Sequence, residues 1–331
     1  MKKFISLLLT AAMAMSLAAC GEAATTTSGT SAEGTKTTDA AANVETTVSE
    51  GTKYAVGEAW TVDGQWTLMI LGAAETDERS EYSDETPEAV YIVDYVYTNG
   101  GYESEYADGL CMYIEDTVVD SAGKAGYSYP GSITNIPREA PVGATCRAQA
   151  CIGVDNAGTF TLTVAAYDGN DNIQSADFLV DPAAEYADYT PQSAAAVSAA
   201  DYDMGDTWTV DGQWELTING VHTTDERNEY SYYNPAAVYI VNYTYTNLGY
   251  ENDYSDGLYM GIDDTIVDAE GWMGYSYPGS ITNYSQMAPV GATCDAEACI
   301  GVDHAGTFTL YVTVYDGQGE KQTASFLVAA E

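Results

Sequence analysis

The stretch AVYIVDYVYTN, residues 89–99, decides the fold, and it returns as AVYIVNYTYTN at 237–247. A run rich in Val, Ile and Tyr, with no Gly or Pro inside it, suits the pleated surface of a β-strand. Side chains alternate across a strand, so Tyr91, Val93, Tyr95 and Tyr97 share one face and Val90, Ile92, Asp94, Val96 and Thr98 the other. In the second copy Tyr239, Val241, Tyr243 and Tyr245 keep the first face, while the other becomes Val238, Ile240, Asn242, Thr244 and Thr246. The large Tyr/Val face belongs in a core. The opposite face turns polar towards its end, as a partly solvated sheet face should; burial on both faces is the competing reading.

Working outward, the whole neighbourhood of this strand is duplicated. Trp60 matches Trp208, Trp66 matches Trp214, Pro87 matches Pro235, Pro130 matches Pro278 and Phe178 matches Phe326, each pair 148 residues apart. Within one copy, Glu58–Val62 and Gln65–Ala74 flank the hairpin signal Asp63-Gly64. Further strands are expected at Leu110–Val119, Tyr127–Thr134, Ala144–Val154, Gly158–Tyr167 and Ile173–Val180. Phe160, Leu162, Val164 and Ala166 form an inward row, repeated as Phe308, Leu310, Val312 and Val314. About eight short strands per copy, with no helical period between them, predict an all-β chain of two tandem antiparallel sandwiches, residues 53–181 and 201–331. Residues 182–200, with Pro182, Pro191 and an Ala-rich run, read as the linker, and 193–197 has the composition of a short helix.

The N-terminus gives an address. Lys2 and Lys3 precede an apolar run from Phe4 to Leu17 that ends in Leu-Ala-Ala-Cys20, the build of a secretory signal over residues 1–20 and too short to span a membrane comfortably. Residues 21–52 are rich in Thr, Ala, Ser and Gly and cannot bury enough surface to offset their ordering entropy. Such a tether spans roughly 30 Å root-mean-square.

The net charge of −40 argues against nucleic acid and anionic headgroups as partners, because both would be repelled. With 28 Tyr against 5 Phe, Tyr must supply much of the aromatic core, and the surplus falls on the surface.

The Leu-Ala-Ala-Cys ending resembles the lipobox of bacterial lipoproteins, which implies cleavage before Cys20 and its lipidation. Each copy carries V-G-E-x-W-x-V-x-x-x-W-T-L or its near match, a Tyr/Val strand ending in Thr-Asn, Pro-Val-Gly before a strand, and F-T-L. This resembles the uncharacterised immunoglobulin-like domains found behind lipobox signals in Gram-positive bacteria. The resemblance covers both copies, about four fifths of the chain, and implies an Ig-like sandwich, a location on the outer face of the cell membrane and no catalytic residue. The Tyr content and the paired Cys depart from that pattern.

Cys146 and Cys151 match Cys294 and Cys299, while Cys111 matches Tyr259. An exterior location makes the pairs Cys146–Cys151 and Cys294–Cys299 candidate disulfides. Residues five apart in a regular strand lie about 16 Å apart on opposite faces, so a bridge requires a bulge. Free thiols are the alternative.

The only histidines, His222 and His304, face Ala74 and Asn156 in the first copy, which excludes a Ser-His-acid machine shared by both. Three duplicated loops carry carboxylates at spacings that suit Ca²⁺. They hold Asp77 and Glu78 with Asp225 and Glu226; Asp108 with Asp256; and Asp116 and Asp120 with Asp264 and Asp268. Solvated loops with Arg79 and Arg227 paired to nearby acids are the plainer reading. Tyr102, Tyr106, Tyr250 and Tyr254 are candidate contact residues for a cell-surface protein or glycan, since Tyr anchors well at interfaces. Together these readings point to a non-enzymatic, lipid-anchored binding module. A Ca²⁺-binding or structural envelope protein is the alternative.

Overall fold

The computed structural model describes residues 53–104, 107–191, 200–252 and 255–330. The lipidation site Cys20, the tether, the 193–197 segment, Tyr106 and Tyr254 lie outside the described residues. Everything described is β-strand, turn or irregular backbone, with no helix.

The first repeat runs β1 (Lys53–Ala55), β2 (Ala59–Val62), β3 (Trp66–Thr76), β4 (Ala89–Asn99), β5 (Thr117–Val119), β6 (Tyr127–Ser128), β7 (Thr145–Val154), β8 (Phe160–Tyr167) and β9 (Ile173–Val180). The second runs β10 (Tyr202–Asp203), β11 (Thr207–Val210), β12 (Trp214–Thr224), β13 (Ala237–Asn247), β14 (Thr265–Val267), β15 (Tyr275–Ser276), β16 (Thr293–Val302), β17 (Phe308–Tyr315) and β18 (Lys321–Val328). Each repeat pairs a five-stranded sheet, β2-β3-β4-β7-β6 or β11-β12-β13-β16-β15, with a four-stranded one, β1-β9-β8-β5 or β10-β18-β17-β14. The result is two β-sandwiches. All pairings are antiparallel except β1 on β9 and β10 on β18, which are parallel.

Alternation explains the cores. Tyr91, Val93, Tyr95 and Tyr97 are buried against Trp66, Leu68, Ile70, Phe160, Leu162 and Phe178. The second repeat buries Tyr239, Val241, Tyr243 and Tyr245 in the same way. Tyrosine works here because each of these hydroxyls finds a hydrogen-bond partner: Tyr91 and Tyr239 accept from Gly158 N and Gly306 N. Tyr95 Oη donates to Met112 O at 2.8 Å, and Tyr243 Oη donates to Met260 O at 3.0 Å. A bulge between Ile70 and Gly72, matched between Ile218 and Gly220, resets the alternation of the outer strand.

Two expectations are corrected. Leu110, Met112 and Ile114 alternate inward and are buried, yet only Thr117–Val119 of the expected Leu110–Val119 strand pairs in a ladder. Likewise only Tyr127 and Ser128 of the 127–134 stretch form strand. The rest crosses the outer face of the large sheet and packs Tyr129 and Ile133 on Val90, Ile92 and Cys151.

The second correction concerns the outer face of β4, which is buried rather than partly solvated: Val90, Asp94 and Val96 are all covered. Residues 181–191 form a strap across it. Ala187 N donates to Leu71 O at 2.8 Å, Tyr186 Oη to Asp94 Oδ2 at 3.1 Å, and Tyr189 Oη lies 2.7 Å from Thr98 Oγ1. A Cβ at Gly72 would sit 2.8 Å from the Tyr186 ring, so glycine makes room for the strap. At the equivalent Gly220 nothing lies within 4 Å. The second repeat replaces Leu71, Asp94 and Val96 with Asn219, Asn242 and Thr244, which suits a face left to water.

The two sandwiches share a joint. Val267 and Met273 of the second repeat are buried within the first repeat's core cluster, and Tyr311 packs beside them. Thr145 N donates to Gly271 O at 2.8 Å and accepts at its own carbonyl from Met273 N at 2.9 Å, so a β-bridge joins the repeats. Arg138 donates to Gly274 O and, at 3.2 Å, to Met273 O, and its guanidinium lies 5.9 Å from the Tyr275 ring centre. Lys321 pairs with Asp108, and Trp272 meets the strap residue Tyr189 edge to face at 5.8 Å.

Candidate functional site

The acid-rich loops are held by their own contacts. Arg79 donates to the carbonyls of Thr76, Glu78 and Glu88, and Glu78 accepts from Ser132 Oγ at 2.7 Å. Arg227 and Glu226 repeat the arrangement with Thr224 O and Ser280 Oγ. The arginines therefore bind main-chain carbonyls rather than neighbouring carboxylates. Asp77 and Asp225 sit beside them on these tied loops. Asp108 faces Lys321 across the joint, whereas its counterpart Asp256 lies on the matching loop of the second repeat.

In the third loop Asp120 Oδ1 accepts from Ala122 N and Lys124 N, and Oδ2 from Asn156 Nδ2 at 2.6 Å. Asp268 holds Glu270 N and Trp272 N in the same way. Both aspartates shape a turn. Their titration differs. The Asn156 hydrogen bond holds Asp120 below the usual carboxylate range, while burial pushes Asp268 above it. His304 stands where Asn156 stood, with Nδ1 2.8 Å from Asp268 Oδ2 and Nε2 3.3 Å from Glu270 Oε2. Both ring nitrogens are thus occupied by carboxylates. Asp264 is raised by burial and by its neighbours Asp263 and Asp108, while Asp116 is exposed on the first repeat. Among the described residues no three His, Cys, Asp or Glu side chains converge as a metal site.

The expected cysteine bridges are not made. Cys146 and Cys151 lie on one regular strand, and so do Cys294 and Cys299; the described cysteines are free thiols. Cys146 points into the sandwich core, and Cys151 points outward beneath Tyr129. Opposite faces of an unbulged strand cannot be bridged. Burial pushes the Cys151 and Cys299 thiols up to about 11.

Tyr102 and Tyr250 have a double role. Each packs edge to face on a buried tryptophan, Tyr102 on Trp66 at 6.1 Å and Tyr250 on Trp214 at 5.9 Å. Asn99 and Asn247 set both loops, accepting from the Tyr102 and Tyr250 amides at 2.7 Å. These contacts close the end of each sandwich.

In the second repeat this end also opens a cleft of about 670 Å³ between the loop after β13 and the β17–β18 turn. Tyr250 and the exposed Tyr315 form aromatic walls, and Glu251, Asn252, Asp316 and Gln318 supply polar groups. The Tyr250 hydroxyl is fixed by Asn252 Nδ2, and the turn is fixed by Gly317 N donating to Gln213 Oε1 at 3.1 Å. In the first repeat the corresponding loop instead lines a crevice shared with Lys321 and Thr323 of the second.

The chain matches no family model and no curated protein sequence. The cleft must therefore be read from its own chemistry. Tyr250 was legible in the sequence as a loop tyrosine. Tyr315 was not, because it ends a strand whose alternation accounts for it; its place beside an Asp-Gly turn, repeated at Tyr167, is the signal that could have found it.

Proposed function

We propose that this is a non-enzymatic, lipid-anchored protein of the extracytoplasmic membrane face, whose paired Ig-like sandwiches present a binding module for surface glycans. The observation that carries the reading is the cleft walled by Tyr250 and Tyr315. Flat aromatic faces beside carboxylate and amide side chains suit sugar rings, which are apolar on their C–H faces and polar at their rims. The Glu251 carboxylate accepts from hydroxyls, and the Asn252 and Gln318 amides both donate and accept, while Asp316 shapes the turn, its Oδ1 accepting from Gln318 N and Glu320 N and its Oδ2 from Gln322 Nε2. The non-enzymatic reading draws on His304, whose two carboxylate neighbours leave neither ring nitrogen for a nucleophile. The membrane address draws on the Leu-Ala-Ala-Cys20 ending, and label from a palmitate analogue on the wild type but not on Cys20→Ala tests it.

A glycan array probed with wild type and Tyr315→Ala tests the binding. Removing one stacking wall lowers affinity by about tenfold. Wild-type binding to no glycan at millimolar concentration, or binding unchanged in Tyr315→Ala, refutes the assignment to this cleft. The second reading, a cation-held envelope protein, draws on the charge of −40. It requires the melting temperature to rise in millimolar Ca²⁺, and a flat response removes it.

A further inference from the structure

The joint between the repeats is built from one end of repeat 1 and one side of repeat 2. Because the repeats are copies, the chain carries each half of that joint a second time, uncovered by any of the described residues. The receiving half in repeat 1 is the β7 edge at Thr145 with Arg138, Glu139 and Val142; its copy in repeat 2 is Thr293 with Gln286, Met287 and Val290. The inserting half in repeat 2 is the hairpin carrying Val267 and Met273, with Lys321; its copy in repeat 1 carries Val119 and Ala125, with Ile173.

Burial marks the difference between used and unused halves at Thr145 and Val267, while Val142 at the rim of the used half stays 37% exposed. Thr145 is 0% exposed, while Thr293, at the same register position, is exposed. Val267 is 1% exposed and Val119 37%. The Thr145–Gly271 and Met273–Thr145 hydrogen bonds use only main chain, so any copy of the edge can make them.

The side chains that differ have changed on both halves together. The occupied joint uses charge: Glu139 Oε2 accepts from Asp108 N, and Asp108 pairs with Lys321. At the free ends Met287 replaces Glu139 and Ile173 replaces Lys321. Both replacements are exposed apolar side chains, Met287 at 54% and Ile173 at 63%, with Val290 at 52% and Leu248 at 42% beside Met287 in the receiving half. Lys124 stands in the place of Trp272, and Asp295 stands two residues along from Thr293 on the same strand face, in the place of Arg147. The free ends thus present exposed apolar side chains, with Lys124, 4.0 Å from Asp155, at the margin of one half, and Asp295 and Asp256, the latter in the place of Asp108, at the margin of the other.

We infer that a second copy of this chain docks head to tail, the Thr117–Gly126 hairpin of one molecule on the Thr293 edge of the next, with Ile173 and Val119 covered by Met287 and Val290. Such a contact uses different surfaces on its two partners. It leaves a free half at each end, so it propagates into rows rather than stopping at a dimer unless the rotation closes a ring. Salt screens the repulsion between acidic molecules beyond about 8 Å at 0.15 M.

Sedimentation velocity of the full chain at 0.15 M salt tests this. The weight-average mass is expected to at least double as concentration rises towards about 0.5 mM, the range of a small non-obligate contact. Val119→Asp and Val290→Asp each place a charge in one half of the contact and leave the other half intact. Each variant alone is expected to stay monomeric, while an equimolar mixture forms a dimer that does not grow further. Unchanged circular dichroism and melting confirm that both variants fold; a substitution that unfolds the chain is replaced by Ile173→Asp or Met287→Asp on the same half. A wild type monomeric throughout the range, association that survives either substitution, or a mixture that stays monomeric overturns the proposal.

Discussion

Replacing Arg138 with Ala tests whether the two sandwiches stabilise one another. The guanidinium reaches across the joint to the main-chain carbonyls of Gly274 and Met273 and lies over the Tyr275 ring. A hydrogen bond from a charged donor contributes about 1.5 kcal/mol at the lower end of its range, which this half-buried group warrants. The ring contact adds about 0.5 kcal/mol. The two bonds and the ring contact together make the loss about 3.5 kcal/mol. For a chain of this size that lowers the melting temperature by roughly 6 °C if the repeats unfold together. If the joint gives way first, one calorimetric transition separates into two. The internal control is Gln286→Ala, the matching position on the second repeat, which faces no sandwich of its own chain and, at concentrations well below those of self-association, should change stability by less than about 0.5 kcal/mol. Scanning calorimetry of both variants decides the matter. Equal effects from Arg138→Ala and Gln286→Ala would show that Arg138 does not hold the joint.

Further matched pairs follow from the duplication. Gly72→Ala pushes the Tyr186 ring off the sheet and loses its bond to Asp94, costing about 1 kcal/mol. Gly220→Ala meets nothing and gains up to about 0.5 kcal/mol from a stiffer strand; urea unfolding reads both signs, and equal signs refute the strap. Asp120 and Asp268 should titrate on opposite sides of 3.8 in carbon-detected NMR. The lowered Asp120 stabilises the fold above that pH, and its contribution is lost as pH falls through its folded value. The raised Asp268 has the reverse sign, favouring the fold increasingly as pH falls through its higher value; a shared midpoint removes the distinction. Finally, raising NaCl from about 10 mM to 0.5 M should raise the melting temperature, because the chain carries −40 and repels itself. A fall or no change would mean that the acids are already neutralised within the fold.

The sandwich cores were legible because a period of two is a local signal: Tyr91, Val93, Tyr95 and Tyr97 declare a face without reference to anything distant. The opposite face was not legible. Its cover comes from Tyr186 and Tyr189, about ninety residues further along, in a segment whose composition reads as a linker. Leu110, Met112 and Ile114 misled for the converse reason, since a loop lying along a core alternates like a strand without pairing like one. What the acid loops do is set at the level of main-chain detail. Asp120 and Asp268 are drawn into their own turns, which spacing alone does not reveal. The cleft needed a residue from each of two loops, and only one of the two stood out. Comparing the copies position by position was the more informative reading. Val96 against Thr244 and Lys321 against Ile173 record which surfaces meet a neighbour.

The buried thiols of Cys151 and Cys299 carry a consequence for how the molecule ages in air. With Cys151 and Cys299 pushed up to about 11, roughly one thiol in ten thousand is a thiolate at pH 7, and the thiolate is the form that attacks oxidants and stray disulfides. Tyr129 and Tyr277 lie over them in turn. Chemical quiet of this kind lets these two thiols persist in air without cross-linking, while exposed methionines such as Met287 stand open to oxidation.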